Sequence, residues 1–102
     1  MYYKDAVIIN SSGLQARPAA EFAAKAKTFK SVIRIQNLNE KNPVPVNAKS
    51  IVMILAEGLG KGCRVRISAE GEDEREAAEE LAALISGGFG ELSAGSDRSD
   101  NE

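Results

Sequence analysis

The sequence predicts a two-layer α+β domain, an open-faced sandwich in which a four-stranded, mostly antiparallel sheet carries three helices on one face. Three observations lead to this fold class. The 102 residues suffice for one domain. Segments with strand-like alternation are interspersed with segments whose apolar residues recur at helical spacing. Clusters of Gly, Asn and Pro separate these segments, and the resulting order is β-α-β-β-α-β-α.

The chain begins with a predicted strand and a predicted helix. Residues 3–9 mix aromatic and β-branched side chains, which favour a strand, and residues 10–13 are turn formers. Pro18 is tolerated in the first turn of a helix, and the residues that follow show helical spacing. We therefore expect a helix over residues 17–29 whose buried side is formed by Ala19, Phe22, Ala23, Ala26 and Phe29.

The middle of the chain contains a predicted hairpin and an apolar run. Residues 31–36 alternate apolar and polar side chains, residues 37–42 are turn formers, and Pro43–Val46 predicts an edge strand, because proline cannot donate a hydrogen bond within a sheet. The apolar run over residues 51–56 predicts a short capped helix, and a buried strand also fits it.

The last strand and helix show the clearest patterns. Residues 63–69 alternate strictly, which predicts a strand with one buried face. The acidic turn over residues 72–74 complements the positive end of a helix, which is expected to bury Ala77, Ala78, Leu81, Leu84 and Ile85. Gly87 and Gly88 end it. We expect a domain over residues 1–86 and a flexible acidic tail over residues 87–102, which has little apolar content.

Composition excludes several kinds of site. The chain has no histidine and one cysteine, Cys63, so an internal disulfide and the common zinc-ligand sets are excluded. No activated nucleophile, acid–base pair or metal set emerges, and we expect neither an enzyme nor a cofactor. The chain shows no apolar signal segment and no run long enough to cross a membrane. A reducing cytoplasm is the expected location.

Charge is distributed unevenly along the chain. Residues 1–69 carry 11 basic against 4 acidic side chains, a net charge of +7, whereas residues 70–80 carry seven acidic side chains against Arg75. Two interpretations remain open. The acidic helix balances a basic body for solubility, or the basic surface faces an anionic partner.

Three motifs carry a family resemblance: Gly13-Leu14-Gln15-Ala16-Arg17-Pro18-Ala19-Ala20, Val46-Asn47-Ala48-Lys49-Ser50-Ile51, and Gly71-Glu72-Asp73-Glu74. Together they resemble HPr, the phosphocarrier family of the bacterial sugar phosphotransferase system. The resemblance covers residues 2–86 and implies the same open-faced sandwich.

The resemblance also implies a function. In HPr the residue that matches Gln15 is a histidine that carries a phosphoryl group; an amide cannot do so, and no other histidine is present. Glutamine at this position is similar to the catabolite-repression branch, Crh. In that branch the serine matching Ser50 is phosphorylated from ATP by an HPr kinase/phosphorylase. The product is the corepressor of a catabolite control protein, a LacI-type repressor.

Ser50 and the residues after it form the main candidate site. From the residues alone, Ser50 is the N-cap of a helix, a role compatible with phosphorylation beside a basic group such as Lys49. The apolar run after it would then simply be buried. The resemblance implies instead that Ile51, Val52 and Leu55 form an exposed docking surface, while Met53, Ile54 and Leu59 fill the core.

Two further residues are candidate partner contacts. Arg17 is a cation at the positive end of a helix, which costs about 0.3–1 kcal/mol unless an anion is near, and this suits a phosphate or carboxylate contact. The plainer interpretation is a solvated side chain lying over its neighbours. Gln15 is either a loop amide or part of the same interface.

Two features depart from the family pattern or leave the function open. The predicted hairpin loop over residues 37–45 is longer than usual for the family, and the predicted acidic tail is unusual. A phosphorylation-independent module that modulates a cytosolic enzyme through the same apolar surface is the alternative function. Direct binding to nucleic acid or membrane is not expected, and a homodimer is left open.

Overall fold

The computed structural model describes residues 1–90 as a four-stranded sheet covered on one face by three helices. The strands are β1 (Tyr2–Val7), β2 (Val32–Asn37), β3 (Val46–Asn47) and β4 (Arg64–Glu70), and the helices are α1 (Ala16–Ala26), α2 (Ile51–Ala56) and α3 (Glu74–Ser86). The sheet order is β1-β4-β2-β3, and every neighbouring pair is antiparallel. The predicted fold class and element order are confirmed.

Every second side chain of the two central strands, β2 and β4, points into the core. In β4, Val65, Ile67 and Ala69 are buried, and Ile33 and Ile35 of β2 lie on the same face. α1 covers this face with the five side chains that its spacing predicted, although the helix ends at Ala26 and Phe29 is buried from the turn that follows. The remaining face of the sheet is open.

The edge strand is shorter than predicted. β3 consists of Val46 and Asn47 alone, so the prediction that Pro43 and Pro45 lie within a strand is wrong. Proline has no N–H to donate to β2. The long loop before β3 is held by side chains instead: Gln36 Nε2 donates to the Pro43 carbonyl (3.1 Å), and Asn39 Oδ1 accepts from the Arg64 amide (2.8 Å).

One carboxylate ties the start of α3 to the residues directly before β2. Asp73 accepts hydrogen bonds from the amides of Lys30 (2.8 Å) and Ser31 (2.9 Å) and from the Ser31 hydroxyl. These bonds, led by the one from the Ser31 hydroxyl, lower the pKa of Asp73. α3 begins at Glu74, within the predicted acidic turn, and Asp73 occupies its N-cap position without a capping hydrogen bond from its side chain among the described residues.

The C-terminal boundary differs from the prediction. α3 buries four of the five predicted residues, and it also buries Ala82. The fifth, Leu84, is only partly buried. A 3-10 turn at Gly88–Gly90 follows; Gly88 is buried and Phe89 packs against the core. The described structure thus continues beyond the predicted boundary at residue 86, into the first residues of the predicted tail. The rest of the predicted tail lies outside the described residues.

Candidate phosphorylation and docking site

Ser50 is the N-cap of α2, as the residue pattern predicted. Its backbone is extended (φ −106°, ψ 113°), its Oγ accepts a hydrogen bond from the Met53 amide (3.2 Å), and its carbonyl accepts from the Ile54 amide (3.1 Å). The run after Ser50 is therefore a helix, and the alternative of a buried strand is wrong. Ser50 is partly exposed, which leaves its hydroxyl near solvent at the start of the helix.

The segment before Ser50 is fixed by backbone bonds. Asn47 Oδ1 accepts from the Lys49 amide (2.9 Å), and the Asn47 carbonyl accepts from the Ser50 amide (3.2 Å). Between them, the buried Ala48 donates its amide to the Ile33 carbonyl of β2 (2.9 Å). The Asn-Ala-Lys-Ser motif is thus an Asn-stabilised turn that holds the serine in one place.

Lys49 takes a different position from the one expected. Its Nζ donates a hydrogen bond to the Phe29 carbonyl (2.9 Å), in the turn that follows α1. Lys49 therefore joins the turn after α1 to the turn before α2, whereas the sequence suggested a basic group directed at a phosphoryl group on Ser50.

α2 exposes most of its apolar side chains. Ile51, Val52 and Leu55 have exposed fractions of 39%, 74% and 44%, so their predicted exposure is confirmed and the interpretation in which all are buried is wrong. Met53, which was expected in the core, is also 42% exposed, whereas Ile54 and Leu59 are fully buried. The four exposed residues Ile51, Val52, Met53 and Leu55 are called the apolar patch below.

The start of α1 presents the other predicted contacts. Gln15 occupies the N-cap position with extended backbone, and its side chain makes no capping hydrogen bond. Ala16 follows in the left-handed region (φ 49°), which is unfavourable for a residue with a Cβ. Gln15 and Arg17 are both exposed, and Arg17 lines a cavity of about 350 Å³ together with Phe89.

The structure connects the loop that carries Gln15 to the loop that follows α2. The Leu14 amide donates to the Leu59 carbonyl (2.8 Å), and Gly13 is so close that a Cβ would lie 2.5 Å from that carbonyl oxygen. Gly13 also has a positive φ of 64°, and its carbonyl accepts from Nδ2 of the buried Asn10 side chain (2.9 Å). The two main motifs are therefore packed against each other through their flanking loops.

One acidic residue at the site was not anticipated. Glu57 is the C-cap residue of α2, and its Oε1 is buried without a hydrogen-bond partner among residues 1–90. Burial, followed by the charge of Glu40, raises the pKa of Glu57. No local sequence signal indicates this burial, and Glu40, whose charge acts on Glu57, lies seventeen residues earlier in the chain.

The described residues offer few groups for metal binding or nucleophilic chemistry. Over residues 1–90, no cluster of three or more His, Cys, Asp or Glu side chains is arranged to hold a metal ion. Cys63 is partly buried against the core. Within the same part of the chain, no helix is both long and apolar enough to cross a bilayer.

Fold and site together define a small α+β binding domain that presents a helix-capping serine, an apolar patch and an exposed arginine. The family model for the PTS HPr component phosphorylation site matches residues 2–87. The chain belongs to the HPr family.

Relatives of known name support this membership. Over 85 residues the chain is 44% identical to the phosphocarrier protein HPr of Haemophilus influenzae, covering 83% of this chain and 95% of the relative. It is 45% identical over 74 residues to the HPr-like protein Crh of Bacillus subtilis, covering 72% and 82%. It also matches the multiphosphoryl transfer protein of H. influenzae at 45% over 84 residues, 82% of this chain, but spans only 17% of that protein's length.

Solved structures share the fold. HPr-C-His from Thermoanaerobacter tengcongensis superimposes with a TM-score of 0.81 at 44% identity, covering 89% of this chain and 98% of that one. Crh of B. subtilis, described as a domain-swapped, intertwined dimer, gives a TM-score of 0.64 at 39% identity, covering 86% and 97%. The two relatives that this chain covers over most of their length are named as a phosphocarrier protein and an HPr-like protein, in agreement with the prediction that the chain is not an enzyme.

Proposed function

We propose that this chain is a Crh-like regulator, phosphorylated on Ser50 by an ATP-dependent HPr kinase/phosphorylase and then acting as corepressor of a LacI-type catabolite control protein in the cytoplasm. The observation that carries the proposal is the pair of residues found at positions 15 and 50. Position 15 holds a glutamine, while Ser50 caps a helix whose apolar side chains are exposed.

Gln15 supports regulation over phosphoryl relay. A carrier needs an imidazole that accepts and returns a phosphoryl group near neutral pH. The amide of Gln15 lacks this chemistry, and the sequence contains no histidine to replace it. The family fold without the carrier residue retains its binding surfaces, which suits a protein that is recognised rather than one that transfers.

The environment of Ser50 suits a phosphoryl group. In the reaction, a bond forms between Ser50 Oγ and the γ-phosphorus of ATP, the bond from that phosphorus to the leaving ADP oxygen breaks, and the hydroxyl proton is released. The product adds about −1.5 to −2 charges at the start of a helix, where the dipole favours anions and the Met53 amide already donates to Ser50 Oγ. Phosphorylation therefore adds charge while leaving the fold intact.

The apolar patch, Gln15 and Arg17 form the proposed partner-binding surface. Ile51, Val52 and Leu55 offer apolar area next to the modified serine, and such a contiguous exposed area is typical of interaction sites. Arg17 is an exposed cation suited to a carboxylate of the partner. Lys49 acts mainly by holding the turn that presents Ser50.

Phosphorylation of Ser50 is the first test. The protein is incubated with ATP and a purified HPr kinase/phosphorylase, followed by intact-mass measurement and peptide mapping. We expect one phosphoryl group, absent from Ser50→Ala and retained in Ser11→Ala, which removes an exposed loop serine. An unmodified wild-type protein, or modification that persists in Ser50→Ala, contradicts the proposed switch.

Repressor binding is the second test. Affinity for the catabolite control protein is measured with the phosphorylated and unphosphorylated protein. We expect binding to require the phosphoryl group and to be weakened by Val52→Ser. An affinity of the repressor that is the same for the phosphorylated and the unphosphorylated protein contradicts the corepressor function.

A second candidate function rests on the apolar patch itself. The patch is exposed while Ser50 carries a free hydroxyl, so docking to a cytosolic metabolic enzyme does not require phosphorylation. Capture of the same enzyme by Ser50→Ala and Ser50→Asp, and its loss in Val52→Ser, is expected for this alternative. Self-association into a homodimer is compatible with both functions, and size-exclusion chromatography measures it.

A further inference from the structure

A cavity of about 290 Å³ lies beside β2, where the short strand β3 ends. Three of its lining residues are the cations Lys30, Arg34 and Lys49, and none is acidic. The other lining residues are Asn47 and the segment Ser31–Ile33. This cavity, called the basic cavity below, does not include Ser50 or the apolar patch.

The register of the sheet explains why Arg34 is available for a ligand. Its neighbours across the sheet are Asn47 on β3 and Ser68 on β4, and neither carries a charge. Arg66, in contrast, lies opposite Asp5, and its Nε donates to Asp5 Oδ1 (2.8 Å). The exposed guanidinium of Arg34 forms no salt bridge within residues 1–90 and retains its donors.

Lys49 is held in place at the same cavity. Its Nζ donates to the Phe29 carbonyl (2.9 Å), and its amide donates to Asn47 Oδ1 (2.9 Å). An ammonium group has three donors, and the bond to Phe29 uses one of them. Because the side chain is half-buried and already positioned, it loses little conformational freedom when it also binds a ligand.

Two nearby carboxylates limit the positive charge of the basic cavity. Lys30 Nζ lies 3.7 Å from Glu72 Oε2, so part of its charge is already balanced. Glu70 lies opposite Val32 and therefore diagonal to Arg34, but within the described chain it forms no salt bridge with that arginine. Anion binding at this place therefore depends mainly on Arg34 and Lys49.

We propose that the basic cavity binds a small organic phosphate, whose phosphate group pairs with Arg34 and Lys49 and whose carbon atoms lie against Val32. A guanidinium matches two phosphate oxygens with parallel hydrogen bonds, and an ammonium adds a point charge. Val32 is 54% exposed and offers apolar contact. The volume of about 290 Å³ lies at the lower end of ligand pockets, which favours a compound of a few carbon atoms.

The competing occupant is a second copy of this chain. The cavity at the start of α3 is lined by four carboxylates and Arg75, so its charge is opposite to that of the basic cavity. Its carboxylates are partly used within the chain, because Glu72 pairs with Lys30 and Glu79 pairs with Arg75 (3.6 Å). A small free phosphate compound is therefore the favoured occupant.

Titration of the ¹⁵N-labelled, full-length and unphosphorylated chain with glycerol 3-phosphate at constant ionic strength tests the proposal. We expect saturable amide shifts at Ile33 and Lys49 with a Kd of about 1 mM or below. Arg34→Gln should weaken the affinity about fivefold or more, because a bidentate charged pair is lost. Arg64→Gln, which removes another exposed arginine of the same sheet face outside the cavity, should leave the affinity unchanged.

Several outcomes overturn the proposal. They are the absence of saturation in the millimolar range, equal weakening by Arg34→Gln and Arg64→Gln, and shifts centred on Arg17. Inorganic phosphate is expected to bind more weakly, and an equal affinity for it overturns the assignment of an organic ligand. Shifts at Ile33 and Lys49 that follow protein concentration without added ligand identify a second copy and also overturn the assignment. All arms use unphosphorylated protein, so this result is independent of the Ser50 kinase test.

Discussion

Two helix starts in this molecule use their polar residues in different ways. At α2, the Ser50 hydroxyl accepts from the Met53 amide of its own helix. At α3, Asp73 makes no capping hydrogen bond with its side chain and instead accepts from Lys30 and Ser31, more than forty residues earlier in the chain. Both residues are of a type that commonly caps helices.

The difference separates a surface function from a structural one. Among residues 1–90, Ser50 is bonded only to its neighbours in the chain, so a change at its oxygen disturbs one helix end. Asp73 is bonded to residues far away in the chain, so a change there separates the segment before β2 from the start of α3. A modification site is tolerable at the first position and would be destructive at the second.

The largest stability effect is expected from Gly71→Ala, which disrupts the approach to α3. Gly71 has a φ of 151°, and an added Cβ would lie 2.8 Å from the Ser31 Cα. Strain and overpacking together are expected to lower the free energy of unfolding by about 2–4 kcal/mol in urea titrations. Gly62→Ala is the control: Gly62 also has a positive φ, but its Cβ would meet nothing within 4 Å. Equal effects of both substitutions would contradict the role of the Ser31 contact.

The second largest loss of stability is expected from Asp73→Asn, and this loss should depend on pH. An amide cannot accept all of the bonds from Lys30 and Ser31, so the Tm at neutral pH should fall. Since the pKa of Asp73 is lowered in the folded state, its stabilisation is present above the usual aspartate pKa and is lost as pH falls through the folded value.

Thermal melts from pH 7 to pH 2.5 check this sign. The difference in Tm between wild type and Asp73→Asn should shrink in acid. Asp5→Asn serves as the control, because the Arg66 hydrogen bond that lowers the pKa of Asp5 joins two exposed side chains on the sheet. We expect a smaller loss at neutral pH for this variant, and a Tm difference for Asp73→Asn that stays constant down to pH 2.5 would refute the assignment.

A smaller effect is expected from Ser50→Ala. Loss of the single cap to Met53 should cost about 1 kcal/mol of unfolding free energy. Ser50→Asp keeps an acceptor and adds a charge that suits the helix start, so its stability should equal or exceed that of wild type. Urea titration of the three proteins measures the order, and Ser50→Asp falling below Ser50→Ala would show that an anion is not accommodated there.

The smallest stability effect is expected from Val52→Ser in the apolar patch. Val52 is 74% exposed, so its replacement should change the free energy of unfolding by less than about 0.5 kcal/mol. Ile54→Ala, two residues later on the buried side, should cost about 2–5 kcal/mol. Similar losses for both variants would mean that α2 does not expose the patch.

Much of the fold was predictable because its signals are local. The alternation in β4 and the helical spacing of α1 were confirmed, and Ser50 was recognised as a cap from its position before an apolar run. The prediction of the edge strand was wrong because the pattern over Pro43–Val46 does not reveal which residues pair with β2. Met53 was misplaced because a six-residue helix is too short for periodicity to define its buried side.

The site was only partly predictable for the same reason. Gln15, Arg17 and the exposed part of α2 followed from the motifs and the family resemblance, which also led to Ser50 as a modification site. The contact of Lys49 with the Phe29 carbonyl, the burial of Glu57 and the place of Phe89 beside Arg17 join residues far apart in the chain. No local pattern encodes such distances.

By itself, the sequence determined the order of the elements, the family and the absence of a histidine that could carry a phosphoryl group. These follow from residue chemistry and from spacing within a few turns of chain. Only the tertiary structure decided that Asp73 holds the segment before β2, that α2 turns four apolar side chains outward and that Phe89 lies beside Arg17. Such contacts depend on how distant segments pack together, and packing is a property of the whole fold.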